Sequence, residues 1–348
     1  MSDRFLRACR REPVDATPVW FMRQAGRSFA AYRQLRERYG ILELAKNPAL
    51  CAEVTLMPVR ELGVDAAVLF ADIMLPLEPM GVGLRIEPEV GPIIDTPIRS
   101  PADVDALRPF EATGTQFTLD AIRIVRAELD GRAGVIGFSG APFTLACYLI
   151  EGRPSREYAL AKSFMYREPE AWHRLMARLS EMVVAYLRAQ VDAGADVVQL
   201  FDSWVGGLGP TDYRTYVQPH VRRIFEALGD VPTIHFGTGA SALLELMAEA
   251  GGTVLGVDHR VSLGDAWRRI GPGRGIQGNL DAARVLAGWD ATESGARAVL
   301  DEAAGRAGHV FNLGHGVLPA SNPDVLRRLV DFVHVETSRH DAPLEAIA

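Results

Sequence analysis

The sequence predicts a parallel α/β fold, a single (β/α)8 barrel across residues 1–340. Three observations carry that expectation. First, eight short β-branched runs alternate with amphipathic helical segments along the chain, and eight is the number that closes such a barrel. Second, 348 residues that are 48% apolar and 23% charged can bury a sizeable core without a second domain. Third, no G-x-G-x-x-G follows the first run, which weighs against the rival, a doubly wound open sheet.

The runs read as strands are Pro18–Met22, Asp65–Phe70, Gly134–Phe138, Asp196–Phe201, Pro232–Phe236, Thr253–Val257, Gly275–Gly278 and His309–Leu313. The helical segments between them include Pro48–Leu62, Pro169–Ala193, Asp212–Leu228, Ala240–Ala250 and Glu293–Gly305. Ser321-Asn322-Pro323-Asp324 reads as the start of a last helix, with a capping side chain ahead of a proline. Glu87–Ile98 alternates apolar residues with Pro and Gly and is expected to form a small hairpin inserted after strand two. Residues 341–348 are expected to be a frayed tail.

Composition excludes several function classes. The net charge of -7 argues against general nucleic-acid binding. Residues 1–40 nevertheless hold nine arginines against four acids, +5, which leaves -12 elsewhere. A basic end on an acidic protein suits a small anionic ligand, and it equally describes a solvated helix face. Cys9, Cys51 and Cys147 are odd in number and widely spaced, so a disulfide framework is not expected and a reducing, cytoplasmic compartment is. No charged-then-apolar signal opens the chain. The uncharged stretch Ala133–Ile150 approaches membrane length, yet Gly134, Gly137, Gly140 and Pro142 make it read as strand, turn and helix start.

In a barrel, active sites sit where the strands end, so the polar residues just past each run are the candidates. After strand one, Arg23 and Arg27 flank Gln24, Ala25 and Gly26. Two guanidinium forks separated by small residues suit a carboxylate ligand, or else structural ion pairs at the rim. After strand two, Asp72 follows an apolar run, where a carboxylate needs a partner, either a buried structural one or the N–H groups of a ligand. Tyr148 lies in the helix after strand three, as a core residue or a site residue. After strand four, Ser203 lacks a nucleophile elbow and reads as a hydrogen-bond donor. Asp258-His259-Arg260 after strand six could pair among themselves. After strand eight, His315 sits between Gly314 and Gly316, either facing an anionic oxygen or capping the next turn. No Walker A, H-E-x-x-H, EF-hand or His/Cys metal spacing is present.

Taken in order, Pro18-Val19-Trp20-Phe21-Met22-Arg23-Gln24-Ala25-Gly26-Arg27, Phe138-Ser139-Gly140-Ala141-Pro142-Phe143-Thr144-Leu145, Gly278-Asn279-Leu280-Asp281 and Phe311-Asn312-Leu313-Gly314-His315-Gly316 resemble the uroporphyrinogen decarboxylase family, over about residues 3–335. The resemblance implies a (β/α)8 homodimer with facing active-site clefts. It implies removal of carbon dioxide from the four acetate side chains of uroporphyrinogen III, giving coproporphyrinogen III, with no metal or organic cofactor. It further implies that the Arg23–Arg27 segment, including Gln24, Ala25 and Gly26, binds substrate, with both arginines on its carboxylates. Asp72 would face the pyrrole N–H groups, and Tyr148, Ser203 and His315 would add polar contacts. Two departures stand: Ser28-Phe29-Ala30-Ala31-Tyr32 where the family commonly has aromatic-x-Pro-Glu-Tyr, and Ala282 where it commonly has Pro. The rivals are a cobalamin-related, zinc-dependent methyltransferase and a non-catalytic tetrapyrrole-binding protein. The first would need a thiolate near His235-Phe236-Gly237, which the sequence lacks.

Overall fold

The computed structural model describes residues 3–87 and 90–339. Seven parallel strands follow one another around a curled sheet: β1 (Ala66–Val68), β4 (Gly134–Gly140), β5 (Val197–Asp202), β6 (Thr233–Gly237), β7 (Val254–Gly256), β8 (Gly275–Leu280) and β9 (His309–Leu313). Their runs are almost wholly buried, as parallel strands covered by helices must be. β2 (Leu84–Glu87) and β3 (Gly91–Ile94) form a separate antiparallel pair with Leu84 opposite Ile94. That pairing begins three residues ahead of the span read from sequence, and residues 88–89 lie outside the described residues, as does the tail 341–348.

The first expected strand, Pro18–Met22, differs from a regular ladder. Val19 makes one isolated parallel bridge to Phe311 of β9. Phe311 N donates to Pro18 O at 2.9 Å, Trp20 N to Phe311 O at 3.3 Å, and Asp65 N, on the other side, to Val19 O at 2.8 Å. The segment therefore sits between β9 and β1 and closes the ring. Pro18 has no N–H to give a ladder, and Arg23 turns the chain at φ 57 immediately afterwards. Side chains take over the missing bonds: Val19 N donates to Asp65 Oδ2 at 2.7 Å and Met22 N to Asn312 Oδ1 at 3.1 Å.

Helices cover the outside. The helix Pro48–Leu62 starts where Asn47 Oδ1 accepts from Ala49 N and Leu50 N, and ends at Gly63, left-handed at φ 72. The segment expected as one helix over 212–228 is two, Pro210–Tyr216 and Gln218–Leu228, broken at Val217 because Pro219 cannot continue the ladder. Asn322 caps the last helix, Pro323–Thr337, through Asp324 N at 2.9 Å. The stretch Ala133–Ile150 is β4 and most of the helix Pro142–Glu151. Among the described residues no helix is long and apolar enough to cross a membrane.

Inside the ring the side chains form layers. Trp20 Nε1 donates to Gln277 Oε1 at 2.9 Å, and Gln277 Nε2 to Gln199 Oε1 at 3.2 Å. β5 and β8 are separated by two strands, so that last bond crosses the barrel interior. Above this polar layer, towards the strand ends, Phe138, Phe201 and Phe236 pack edge to face, with centroids 5.4 and 6.0 Å apart. Phe201 is the least buried of the three and faces the mouth.

Candidate active site

The loops that leave the strand ends converge above the phenylalanine layer. Val317 N donates to Met22 O at 2.8 Å, which ties the loop after β9 to the Arg23 segment. Gly316 lies directly against the Arg23 stem: a Cβ there would stand 2.6 Å from Arg23 Cδ. Gly314 meets the backbone of His259 too closely for any Cβ at all. The two glycines flanking His315 thus let three loops close on one another, a need that spacing alone does not reveal.

Arg23 lies within electrostatic reach of Asp72, Tyr148 and His315, and Asp72 within reach of Tyr148. Asp72 remains partly open to solvent, and its Oδ1 accepts from Met74 N at 2.8 Å. Desolvation nevertheless raises its carboxyl above the usual Asp range, opposed by the Met74 N–H and the Arg23 charge. Burial raises the Tyr148 phenol, and the Asp72 charge pushes the same way. The His315 imidazole is held below its ordinary value by desolvation first and by Arg23 next, which favours its neutral form.

The other expected residues are placed differently. Gln24 is fully buried, and its amide is held by backbone, accepting from Phe21 N at 3.0 Å and donating to Ala66 O at 2.9 Å. Ala25 and Gly26 are half-buried beside it. Arg27 is exposed and lies near Tyr32, whose phenol burial raises against the Arg36 and Arg27 charges. Ser203 is half-buried on the loop after β5 and, among the described residues, its hydroxyl has no hydrogen bond. Neither Arg23 nor Arg27 forms an ion pair among the described residues, so the rim ion pairs considered from sequence do not form. Both forks stay available to an anion.

Asp202, the residue before Ser203, carries no sequence signal of its own and is fully buried behind the mouth. Thr144 Oγ1 donates to its Oδ1 at 2.9 Å, and its Oδ2 has no partner among the described residues. Burial pushes this carboxyl up to about 7. A folded-state pKa raised from 3.8 makes the contribution to stability full below about 4 and lost as pH rises through about 7. Asp202→Asn, which mimics the protonated group, should therefore gain stability relative to the parent between pH 5 and pH 8. The gain should reach at most a few kcal/mol, at about 1.4 kcal/mol per unit of separation. Urea unfolding of both proteins at the two pH values checks it; an unchanged difference would contradict the burial of a charge there.

His235, the position a zinc-dependent relative would need at the mouth, points outward instead. It packs against Phe225 at 5.1 Å, and burial lowers its pKa to about 4.

The family model described as uroporphyrinogen decarboxylase matches residues 1–335. A uroporphyrinogen decarboxylase of Sorangium cellulosum is 57% identical over 338 residues, covering 96% of each chain. That of Roseiflexus sp. (strain RS-1) is 53% identical, covering 95% of this chain and 97% of its own. Among solved structures, a methyltransferase from Methanosarcina mazei superposes with a TM-score of 0.80 at 21% identity, covering 95% of this chain and 97% of its own, a likeness of barrel fold alone. The length and identity of these matches place the chain in the uroporphyrinogen decarboxylase family.

Proposed function

We propose that this barrel mouth removes carbon dioxide from the four acetate side chains of uroporphyrinogen III, giving coproporphyrinogen III for haem and related tetrapyrroles, without a metal or organic cofactor. The observation that carries the reading is that Asp72 and Arg23 lie within electrostatic reach of one another, neither in an ion pair among the described residues, above an aromatic floor. An acetate on a neutral pyrrole loses carbon dioxide reluctantly, because the electron pair of the breaking bond has nowhere to go. Protonation of the adjacent ring carbon makes the pyrrole a cationic sink. The carbon–carbon bond then breaks into the ring and releases carbon dioxide, a proton added to the exposed methylene makes a methyl group, and loss of the proton first added to the ring carbon restores the pyrrole. The substrate supplies its own sink, which accounts for a reaction without a cofactor.

Asp72 is assigned to the pyrrole N–H groups and the developing cation. One such group contributes about 2.7–4 kcal/mol, by analogy with a single oxyanion donor. The slowest reference reactions require about 20 kcal/mol or more, so positioning and exclusion of water must supply the rest. Arg23 and Arg27, with the intervening Gln24-Ala25-Gly26 backbone, are assigned to substrate carboxylates, and Tyr148, Ser203 and His315 to further polar contacts. Arg27→Lys loses the planar fork and should raise KM by about tenfold, with a smaller change in kcat; steady-state rates under nitrogen measure it, and parent-like constants would remove Arg27 from the site.

We assign the chain to the cytoplasm as a homodimeric, single-domain enzyme acting on a small tetrapyrrole. The three free, buried cysteines accord with a reducing compartment. The testing experiment is anaerobic incubation with uroporphyrinogen III followed by chromatography of the oxidised products. Stepwise loss of four carboxyl groups supports the enzyme. Tight binding with none lost would favour the carrier reading.

A further inference from the structure

We propose that Trp204 is a positioning residue that holds the Tyr148 phenol in the mouth by stacking; the inference rests on the assignment of Tyr148 to substrate. The indole of Trp204 lies between two tyrosines. Its centroid is 4.0 Å from that of Tyr148 at 30° and 4.9 Å from that of Tyr158 at 28°. All three residues are partly buried, so the stack stands in the wall of the mouth rather than in the core.

The helix Pro142–Glu151 organises this wall twice over. Thr144 and Tyr148 lie four residues apart, hence on one face a turn apart. Thr144 Oγ1 donates its proton to the buried Asp202 and accepts Trp204 N–H at 3.3 Å. The same helix face therefore anchors the Trp204 backbone and receives its ring. On the far side, Gly207 admits the Tyr158 ring: a Cβ there would stand 2.8 Å from Tyr158 Cδ2.

Hydrogen bonds do not fix either ring. The indole N–H groups of Trp20, Trp172, Trp267 and Trp289 all donate to protein acceptors, whereas that of Trp204 has none among the described residues. The Tyr148 hydroxyl likewise makes no hydrogen bond among the described residues, although the Asp72 and Arg23 charges both act on it. Its direction is set by the faces it packs against, and a flat aromatic ring at 204 is what the geometry requires.

The test compares Trp204→Phe with Trp204→Leu in the full-length protein. With 3-fluorotyrosine incorporated, and the Tyr148 signal assigned from Tyr148→Phe, the 19F resonance reports ring-current shielding without any turnover. The shielding should persist in Trp204→Phe and disappear in Trp204→Leu. With uroporphyrinogen III, Trp204→Leu should lose roughly ten- to a hundred-fold in kcat, the scale of a small misplacement, with little change in KM, and Trp204→Phe should stay near the parent. Tyr158→Leu, which keeps Trp204 and removes only the outer ring, should move both readouts the same way by less, and serves if Trp204→Leu does not fold. A parent-like kcat in Trp204→Leu, or an equal loss in Trp204→Phe, would overturn the proposal. A parent protein that decarboxylates nothing would instead overturn the functional reading, and the fluorine shift would still decide whether the stack orients Tyr148.

Discussion

Replacing Asp72 by Asn is expected to slow decarboxylation by about 10²–10³-fold while changing substrate affinity by less than about tenfold. The amide keeps the size of the side chain and its acceptor for Met74 N, so the loop after β1 should keep its shape. What it loses is charge. The ground-state macrocycle presents neutral N–H groups, which an amide oxygen can also accept; the intermediate presents a cation, which it cannot neutralise. An interaction that strengthens only in the intermediate acts on kcat rather than KM. The same carboxyl is held above the ordinary Asp range by desolvation, so the acid limb of kcat/KM should fall above that range in the parent and vanish in Asp72→Asn. Rates from pH 5 to pH 8 under nitrogen measure both. Parent-like turnover in the variant would remove Asp72 from the chemistry.

Asp65→Ala should cost about 3–5 kcal/mol of stability, read as a fall in the urea midpoint. Asp65 is only 7% exposed and accepts three donors at once: Val19 N at 2.7 Å, Arg4 Nη1 at 2.9 Å and His334 Nε2 at 2.7 Å. It stands in for the ladder that Pro18–Met22 cannot make, and it ties both the first helix, Arg4–Cys9, and the last, Pro323–Thr337, to the closing seam. Its loss leaves a buried N–H without an acceptor and a guanidinium short of one partner. Asp15→Ala is the control: Asp15 also pairs with Arg4 but is 68% exposed, so its removal should cost less than about 1 kcal/mol. Equal losses in the two variants would mean that Asp65 is not what closes the barrel.

Those two residues mark what the sequence could and could not reveal. The barrel was legible because strands covered on both faces leave continuous apolar runs, as Ala66–Val68 and Val254–Gly256 do. The first strand was legible as an element but not as a seam, since its bonds come from Asp65 and Asn312, far away in sequence. A helix over 212–228 looked continuous because its apolar spacing runs through Pro219. At the mouth, position after a strand end marked Arg23, Asp72, Tyr148 and His315, which the fold brings together. It marked Gln24 equally, and there the side chain faces elsewhere, into the backbone of β1. The Phe138, Phe201 and Phe236 floor follows from register across three strands, and the Tyr148–Trp204–Tyr158 wall joins one helix and two loops. Such side chains become neighbours only once the ring has closed, although the single Phe near the end of each of three runs was a signal within reach.

The most direct test of the central claim is a crystal structure of this protein with coproporphyrinogen, grown and frozen without oxygen. The account predicts a macrocycle seated on the phenylalanine floor, its pyrrole N–H groups within about 3 Å of the Asp72 carboxylate and a propionate on the Arg23 fork. A product bound with its nitrogens turned away from Asp72, or lodged outside the ring of strand ends, would contradict it.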